Sequence, residues 1–275
     1  MFKQTLFIAL VVCAFMASSA LGQTDGTYFN LRPSGVVCIT TPCPSWTVTR
    51  ANDNTENTTV HSVSFAASIN ESILFEVEYD QTLVYGYLTM RYVGTQLVRQ
   101  LIVEQAYRLL PLRAEDQAAR AGSFYSASFD NLWRATLLNS DALLTLDALH
   151  EPYSSYSHLD MEWLFNKVVT TAAPTKAIVQ GTIQHGVLVA TAFYINIVDP
   201  SQRCPPSPLI GCATGYTAVY SRDVNRCRQM TGCVRPGPCI LSIAVCDEGY
   251  DLISIPSAPR GCPKFTCDPS FVKKL

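Results

Sequence analysis

The stretch from Leu83 to Leu110, LVYGYLTMRYVGTQLVRQLIVEQAYRLL, decides the fold. It is rich in β-branched and aromatic residues, and Gly94 separates a first run, Leu83–Val93, from a second, Gln96–Leu110. This pattern predicts two antiparallel strands joined by a tight turn. A second stretch, Lys176–Val198 (KAIVQGTIQHGVLVATAFYINIV), has the same character and also turns at a glycine. Two β-hairpins are therefore expected in the middle of the chain.

Shorter matches extend these hairpins into two similar units. Gly26–Phe29 (GTYF) matches Gly122–Tyr125 (GSFY), and Trp46–Asn52 (WTVTRAN) matches Trp133–Asn139 (WRATLLN). Because the matches keep one order along the chain, they indicate an internal repeat. The predicted fold class is α+β, dominated by strands, with two tandem pseudo-repeats followed by a small disulfide-rich region. The expected organisation is a first repeat at 23–110, a linker at 111–121 and a second repeat at 122–200.

Each unit also contains one segment of helical character. Apolar residues recur at helical spacing over Met161–Val168, and Asp160 precedes them, which predicts an N-capped helix. The corresponding segment of the first unit, Ile69–Val77, fits both a helix and a strand, so both interpretations stay open. One strand is expected before each segment, at Thr59–Phe65 and at Ala142–Leu149.

A cysteine-rich tail occupies residues 201–275, where two four-cysteine modules, 204–233 and 239–267, repeat with a period of 34 or 35 residues. A unit of about 35 residues cannot bury enough apolar surface to fold alone, so two disulfides are expected in each module. Four cysteines permit three pairings, and the sequence does not choose among them. The cysteines concerned are Cys204, Cys212, Cys227, Cys233, Cys239, Cys246, Cys262 and Cys267.

The N-terminus predicts export from the cell. Lys3 precedes an apolar run of 12 residues, and Ala20–Gly22 has the small-x-small pattern of a signal-peptidase site. We expect a signal peptide at residues 1–22, with Gln23 as the first mature residue. The run is too short to span a bilayer, so the protein is predicted to be secreted, extracellular and not membrane-spanning.

The cysteine count supports export independently. The chain has 11 cysteines, and removal of Cys13 with the leader leaves an even number for full oxidation. Cys38 and Cys43 are expected to form a local disulfide, because a metal site would need at least two more ligands nearby. Asn57 and Asn70 begin Asn-x-Ser/Thr sequons and are candidate N-glycosylation sites of an exported protein.

The sequence lacks the motifs of several catalytic and phosphate-binding sites. It contains no Gly-x-Ser-x-Gly, no glycine-rich phosphate loop and no His-Glu-x-x-His. If the segment around them were a strand, His158, Asp160 and Glu162 would present three ligand-type side chains on one face of it. The interpretation we favour is a polar loop that leads into a helix cap. We therefore predict a non-enzymatic protein without cofactor or metal.

The charge balance argues against nucleic acid as a partner. The net charge is −2, whereas nucleic-acid-binding proteins carry a strong basic field. The tail is mildly basic, with four arginines at positions 222, 226, 228 and 235. These arginines would either contact a polyanion such as an acidic glycan or face solvent, and we favour solvent.

Three segments of the first unit resemble a known family. Gly26–Arg32 (GTYFNLR), the loop Cys38–Cys43 (CITTPC) and Trp46–Asn52 (WTVTRAN) are similar to a family of secreted domains of unknown function. The resemblance implies a duplicated domain over about residues 26–200. It carries over no catalytic residue.

A second resemblance concerns the end of the tail. Cys246–Tyr250 (CDEGY) followed by Arg260–Cys267 (RGCPKFTC) is similar to antistasin-type inhibitor modules, although those modules usually hold more cysteines. This resemblance implies inhibition of a protease through an exposed loop.

The function predicted is that of a secreted, non-enzymatic binding or structural protein, whose partner is an unidentified extracellular protein or glycan. The alternative is a serine-protease inhibitor that acts through the tail, with Arg235 in the loop Val234–Pro238 as the bait. A third class, an enzyme whose site only the fold assembles, would require a pocket that converges on His158, Asp160 and Glu162.

Overall fold

Strands dominate the structure, as predicted. The computed structural model describes residues 26–40, 42–53, 55–169, 175–198, 203–206, 211–240 and 242–272. The predicted signal peptide at 1–22 and its cleavage site lie outside the described residues. We call residues 26–198 the body and residues 203–272 the tail.

The body begins with four strands and one short helix, followed by a long hairpin. These elements are β1 (Thr27–Pro33), β2 (Trp46–Arg50), β3 (Asn57–Val60), β4 (Ser62–Phe65), α1 (Ser72–Phe75), a 3-10 turn at Tyr79–Gln81, β5 (Thr82–Val93) and β6 (Gln96–Leu109). A short helix, α2 (Ala114–Ala118), connects this half to the next. The hairpin predicted from the opening stretch of sequence is confirmed.

The second half of the body has a comparable sequence of elements. They are β7 (Ser123–Asp130), β8 (Leu132–Leu137), β9 (Leu143–Leu146), β10 (Ala148–His150), a 3-10 turn at Pro152–Ser155, α3 (Met161–Val168), β11 (Ala177–Gln184) and β12 (Val187–Asn196). The predicted cap of α3 is confirmed, because the Asp160 carboxylate accepts a hydrogen bond from the Trp163 N–H at 3.0 Å.

Two strand predictions were wrong in their extent. Thr59–Phe65 and Ala142–Leu149 are each divided into two short strands rather than one. In each half the first short strand pairs antiparallel with one neighbour, and the second pairs parallel with another, β4 with β6 and β10 with β12. The chain bends at His61 and at Asp147, and each bend ends one strand before the next one pairs with a different neighbour. The ambiguous segment Ile69–Val77 contains only the four residues of α1 in helical form.

The body strands form one sheet with the order β3-β2-β1-β5-β6-β12-β11-β7-β8-β9. The order is the same from both edges if each strand of the first half is matched with the strand numbered six higher. The run β3-β2-β1-β5-β6 from one edge then corresponds to β9-β8-β7-β11-β12 from the other. The two hairpins meet in the centre, where Tyr107–Leu109 of β6 pairs antiparallel with Tyr194–Asn196 of β12.

Both hairpins have a β-bulge at a glycine, Gly86 in β5 and Gly181 in β11. A Cβ at either position would overlap a carbonyl oxygen on the facing strand, that of Ile102 or that of Val189. Glycine is therefore required by the close approach of the two backbones.

The sheet is buried on both faces at its centre. Neighbouring residues of one strand point to opposite faces, so Ala106 lies in one core and Tyr107 in the other. The larger core includes the helix residues Trp163 and Leu164, and the smaller core includes Tyr194. None of the helices in the described part of the chain is long and apolar enough to cross a membrane.

The tail consists of two antiparallel hairpins. They are β13 (Thr217–Arg222) with β14 (Arg228–Val234), and β15 (Tyr250–Ser257) with β16 (Cys262–Pro269). The chain then returns to the body, where Phe271 and Val272 are buried in the larger core. The tail is therefore packed against the body.

Candidate functional site

Ten cysteines form five disulfides, which confirms the prediction of a disulfide-bonded protein. The pairs are Cys38–Cys43, Cys204–Cys227, Cys212–Cys233, Cys239–Cys262 and Cys246–Cys267. In each tail module the first cysteine joins the third and the second joins the fourth. The pairing that the sequence left open is thus the same in both modules, and every bridge stays within its module.

The two tail modules are held together by a buried ion pair. Arg222 donates two hydrogen bonds to the Asp268 carboxylate, at 2.9 and 2.7 Å, and one to the Thr266 hydroxyl at 2.7 Å. The Arg226 guanidinium lies 3.5 Å from the same carboxylate and stacks over the Trp163 ring of α3 at 5.0 Å. Arg222 and Arg226 are therefore structural, and the predicted arginine face directed toward solvent or a polyanion is wrong for these two.

Further contacts fix the tail to the body. Arg113 forms a bidentate ion pair with Asp247, with both distances at 3.1 Å, and this carboxylate raises the pKa of the arginine. The Tyr250 hydroxyl donates to the carbonyl of Pro111 at 2.8 Å. The tail hairpins therefore have a fixed position relative to the sheet.

The segment at residues 234–245 comprises the link between the two modules and the first residues of the second module, and it is the most apolar exposed part of the described tail. We call it the inter-module segment; position 241 lies outside the described residues. Ile240, Ile243 and Val245 are 79–87% exposed. Arg235, the predicted bait, is also exposed, and its guanidinium lies 5.6 Å from the ring centroid of Tyr216. Disulfides anchor the chain just before this segment at Cys233, within it at Cys239 and just after it at Cys246.

A cleft of about 720 Å³ lies between α3 and the tail, and His158, Asp160 and Glu162 all line it. The structure thus brings the three together; the Asp160 side chain is engaged elsewhere, whereas His158 contributes only its backbone carbonyl to a further contact. The Asp160 carboxylate caps α3, and the His158 carbonyl accepts a hydrogen bond from the Cys267 N–H at 2.8 Å. The favoured interpretation, a polar loop that leads into a helix cap, is confirmed. Among the described residues, no three His, Cys, Asp or Glu side chains are placed to hold a metal ion.

Both sequon asparagines are exposed. Asn57 begins β3, and its Oδ1 accepts a hydrogen bond from the Thr49 hydroxyl at 2.5 Å. Asn70 precedes α1, and its Oδ1 accepts hydrogen bonds from the N–H and the hydroxyl of Ser72, at 3.3 and 2.8 Å. Each asparagine is therefore accessible from solvent.

A second cavity, of about 560 Å³, opens between the two halves of the body. Arg120 forms one wall; its side chain is only 9% exposed, and its Nη2 pairs with the carboxylate of Asp80. The Arg120 Nη1 is buried and has no hydrogen-bond partner among the described residues. The rim includes Arg32 and Asn57, which hydrogen-bond each other at 3.4 Å.

The neighbouring polar groups of this cavity are neutral. The Tyr194 hydroxyl lies 3.1 Å from the carbonyl oxygen of Asp80 and 3.2 Å from Oε1 of Gln180. Burial raises the pKa of the Tyr194 phenol well above its usual range, so it remains a hydrogen-bond donor at physiological pH. Charge in the cavity therefore comes from the arginines and from Asp80.

Sequence reasoning placed Arg120 in the linker 111–121 and gave it no role. Its position depends on packing, because the Ala121 backbone exchanges two hydrogen bonds with the hydroxyl of Thr191 on β12, at 3.2 and 2.7 Å. A single arginine in a polar linker gives no sequence signal that its side chain will line a cavity. The only indication available was that the linker joins two units that must pack together.

Comparison with known proteins gives a family but no activity. A model of a domain of unknown function, DUF6748, matches residues 2–72, a shorter part than the 26–200 that the resemblance implied. An uncharacterised protein of Dictyostelium discoideum is 31% identical over 287 aligned positions, which cover 99% of this chain and 98% of the relative. No solved structure matches, and nothing in these matches supports the antistasin resemblance. The chain therefore belongs to one family with this uncharacterised Dictyostelium discoideum protein and carries a domain of unknown function in its N-terminal part.

Proposed function

We propose that this chain is a secreted, non-enzymatic binding protein that engages an extracellular partner protein through the inter-module segment. The observation that carries the proposal is the exposure of Ile240, Ile243 and Val245, at 87%, 79% and 80%, between the disulfide-bonded Cys239 and Cys246. Clustered exposed apolar side chains mark interaction surfaces in soluble proteins. Anchoring limits the conformational entropy that binding would otherwise cost.

Export is part of the proposal. It is supported by the predicted leader at residues 1–22 and by five disulfides, which form and persist in oxidising compartments. The exposure of Asn57 and Asn70 supports glycosylation at both sequons.

We also propose that residues 23–110 and 122–200 are two copies of one unit. The equivalent strand order from either edge of the sheet and the matching bulges at Gly86 and Gly181 support this. A reciprocal contact supports it further. Asn52 of the first half hydrogen-bonds the backbone of Phe124 in the second, and Asn139 of the second hydrogen-bonds the backbone of Tyr28 in the first.

Substitution of the apolar side chains tests the binding surface. The triple variant Ile240→Ser, Ile243→Ser, Val245→Ser is expected to reduce capture of the partner from native extracellular fluid at least about tenfold, a loss of about 1.4 kcal/mol. Immobilised wild-type and variant proteins are compared by quantitative mass spectrometry of the retained proteins.

A matched control removes exposed apolar side chains elsewhere. Met90→Ser, Tyr92→Ser, Leu97→Ser changes three exposed residues on the β5–β6 hairpin and should leave capture unchanged. Equal capture by the inter-module variant and the wild type would contradict the proposed surface. Catalytic turnover of a peptide, ester or glycoside panel by the purified protein would contradict the non-enzymatic assignment.

Protease inhibition is a second candidate function, which the placement of Arg235 favours. Arg235 is exposed between Cys233 and Cys239, each of which is held by a disulfide. A rigid loop with an exposed arginine has the chemistry that a trypsin-like specificity pocket accepts. Slowing of trypsin by the wild type but not by Arg235→Ala would support this candidate, and the absence of any slowing would exclude it for trypsin.

A further inference from the structure

We propose that the outer part of the β5–β6 hairpin attaches this protein to the surface of an anionic lipid membrane. We call residues 88–99 the hairpin arm. The proposal does not depend on the partner capture assigned to the inter-module segment, because the two surfaces lie in different parts of the chain. It concerns attachment to a bilayer surface and involves no segment that crosses the bilayer.

The hairpin arm extends beyond the sheet. From its bulge at Gly86, the β5–β6 hairpin continues for eight residue pairs, whereas the β11–β12 hairpin continues for four from Gly181. The additional pairs lengthen the first hairpin by about 13 Å. The pairing of β1 with β5 ends at Gly86, and that of β4 with β6 begins at Gln100. Among the described strands, those of the hairpin arm therefore pair only with each other.

One face of the hairpin arm is apolar and exposed. Alternate residues of a strand point to the same face, and directly paired residues share a face. Leu88, Met90 and Tyr92 therefore lie on one face of β5. Leu97 of β6 lies on the same face, because it pairs with Tyr92. These residues are 37–73% exposed, and the most exposed is Tyr92, next to the turn. The apolar side chains are thus concentrated on a projecting tip.

A second apolar projection starts beside the hairpin arm. Val37 and Ile39, in the loop closed by the first disulfide, are at least 94% exposed. His61 connects this loop to the arm. Its N–H donates to the Arg99 carbonyl at 2.9 Å, and its Nδ1 lies 3.0 Å from the carbonyl oxygen of Cys43. Both apolar projections therefore start from the same region of the body.

The charge of this region favours an anionic surface. The hairpin arm contains Arg91 and Arg99, and the sequence has no acidic residue from Gln81 to Val103. In the described part of the chain, neither guanidinium has an ion-pair partner. At the inner end of the arm, Glu56 and Arg50 line the same small hollow, so their charges offset each other there. Arginine attracts anionic headgroups, while its aliphatic stem can cover apolar surface.

A bilayer surface fits this shape better than a folded partner does. The apolar residues stand on two convex projections, and a protein partner would need a matching concave pocket for each. A lipid interface has no fixed shape and accepts apolar tips directly. The amphipathic ring of Tyr92 suits the boundary between headgroups and acyl chains, where tyrosine is enriched. Exposed apolar patches of this kind mark sites of interaction with membranes or proteins.

Vesicle co-sedimentation of the oxidised protein tests the assignment. Proteins are produced in a secreting host, so that export removes the predicted leader and its apolar run does not contact lipid. Binding to vesicles that contain phosphatidylglycerol is expected to exceed binding to pure phosphatidylcholine vesicles at least about tenfold, and to weaken as salt is raised. The arm variant Met90→Ser, Tyr92→Ser, Leu97→Ser should reduce binding at least about tenfold, because it removes the apolar tip.

Further variants separate charge and insertion from a general effect on the fold. Arg91→Gln with Arg99→Gln should lower binding to phosphatidylglycerol vesicles about tenfold or more and reduce its salt dependence. Brominated acyl chains should quench the added fluorescence of Tyr92→Trp but not that of Leu132→Trp. The matched control Leu132→Ser, Leu143→Ser, Leu144→Ser changes exposed apolar residues of the second half and should leave vesicle binding unchanged.

The outcomes also separate this site from the inter-module segment, since the arm variant should lose vesicle binding and keep partner capture. Excess glycerol 3-phosphate should not displace the protein, because a headgroup alone does not contact the apolar tip. Equal binding of arm variant and wild type, equal binding to both vesicle types, or no quenching at Tyr92→Trp would overturn the assignment. Self-association that needs the arm, without vesicle binding, would also overturn it and would identify a contact between two copies of the chain.

Discussion

Asp268→Ala is expected to lower the free energy of unfolding by about 3–5 kcal/mol. The carboxylate accepts two hydrogen bonds from Arg222 and lies 3.5 Å from Nη1 of Arg226. Both arginine side chains are buried, at 8% and 3% exposure. Without this counter-charge, two guanidinium groups would stay in the interior at a high desolvation cost.

Denaturant unfolding of the oxidised protein, followed by tryptophan fluorescence, measures the effect. Trp163 reports on the site, because Arg226 stacks over its ring. Asp268→Asn keeps the shape and one acceptor, so its loss should be smaller. Asp141→Ala removes an exposed carboxylate before β9 and should change stability by about 0.5 kcal/mol or less. If Asp268→Ala were as mild as Asp141→Ala, the buried pair would not hold the tail together.

Asn139→Ala is expected to lower the free energy of unfolding by about 2–3 kcal/mol. Its side chain accepts a hydrogen bond from the Tyr28 N–H at 2.8 Å and donates to the carbonyls of Tyr28 and Ala51, at 2.9 and 3.0 Å. Alanine would remove these bonds from the Tyr28 N–H and the Ala51 carbonyl, while the Tyr28 carbonyl would keep its bond from the Ala51 N–H at 2.9 Å. Asn52→Ala should cost a similar amount, since Asn52 makes the reciprocal contacts in the other half.

The matched control for this pair is Asn131→Ala. Asn131 has the same left-handed backbone as Asn139, with φ of 58° against 61°, but it is exposed. The control therefore measures the cost of alanine in that conformation alone, about 1 kcal/mol or less. Thermal or denaturant unfolding compares the three variants. A loss at Asn139 no larger than that at Asn131 would show that the asparagine does not join the halves.

The hairpins and the tail could be predicted because their signals are local. Leu83–Leu110 is rich in β-branched and aromatic residues around a glycine turn, and this pattern depends on no other part of the chain. Asp160 directly precedes an apolar pattern of helical spacing, so its capping role could also be predicted from the sequence. The spacing of the tail cysteines likewise predicted two bridges in each module.

The parts that could not be predicted depend on distant contacts. Thr59–Phe65 was predicted as one strand, although its two ends pair with β2 and β6. The sequence indicated a basic surface at Arg222 and Arg226. In the structure, Asp268 of the second module lies against both side chains. Arg120 lines a cavity of the body, where the end of the linker is fixed by the hydrogen bonds between Ala121 and Thr191 of β12.

Peptide mapping of the protein purified from its natural source under non-reducing conditions tests the central claim most directly. The account predicts a mature chain that starts at Gln23, has no free thiol and yields five bridged peptides, each within its own module or loop. Free cysteines in the tail, a bridge between its two modules, or a retained leader would contradict the account of an exported protein locked by disulfides.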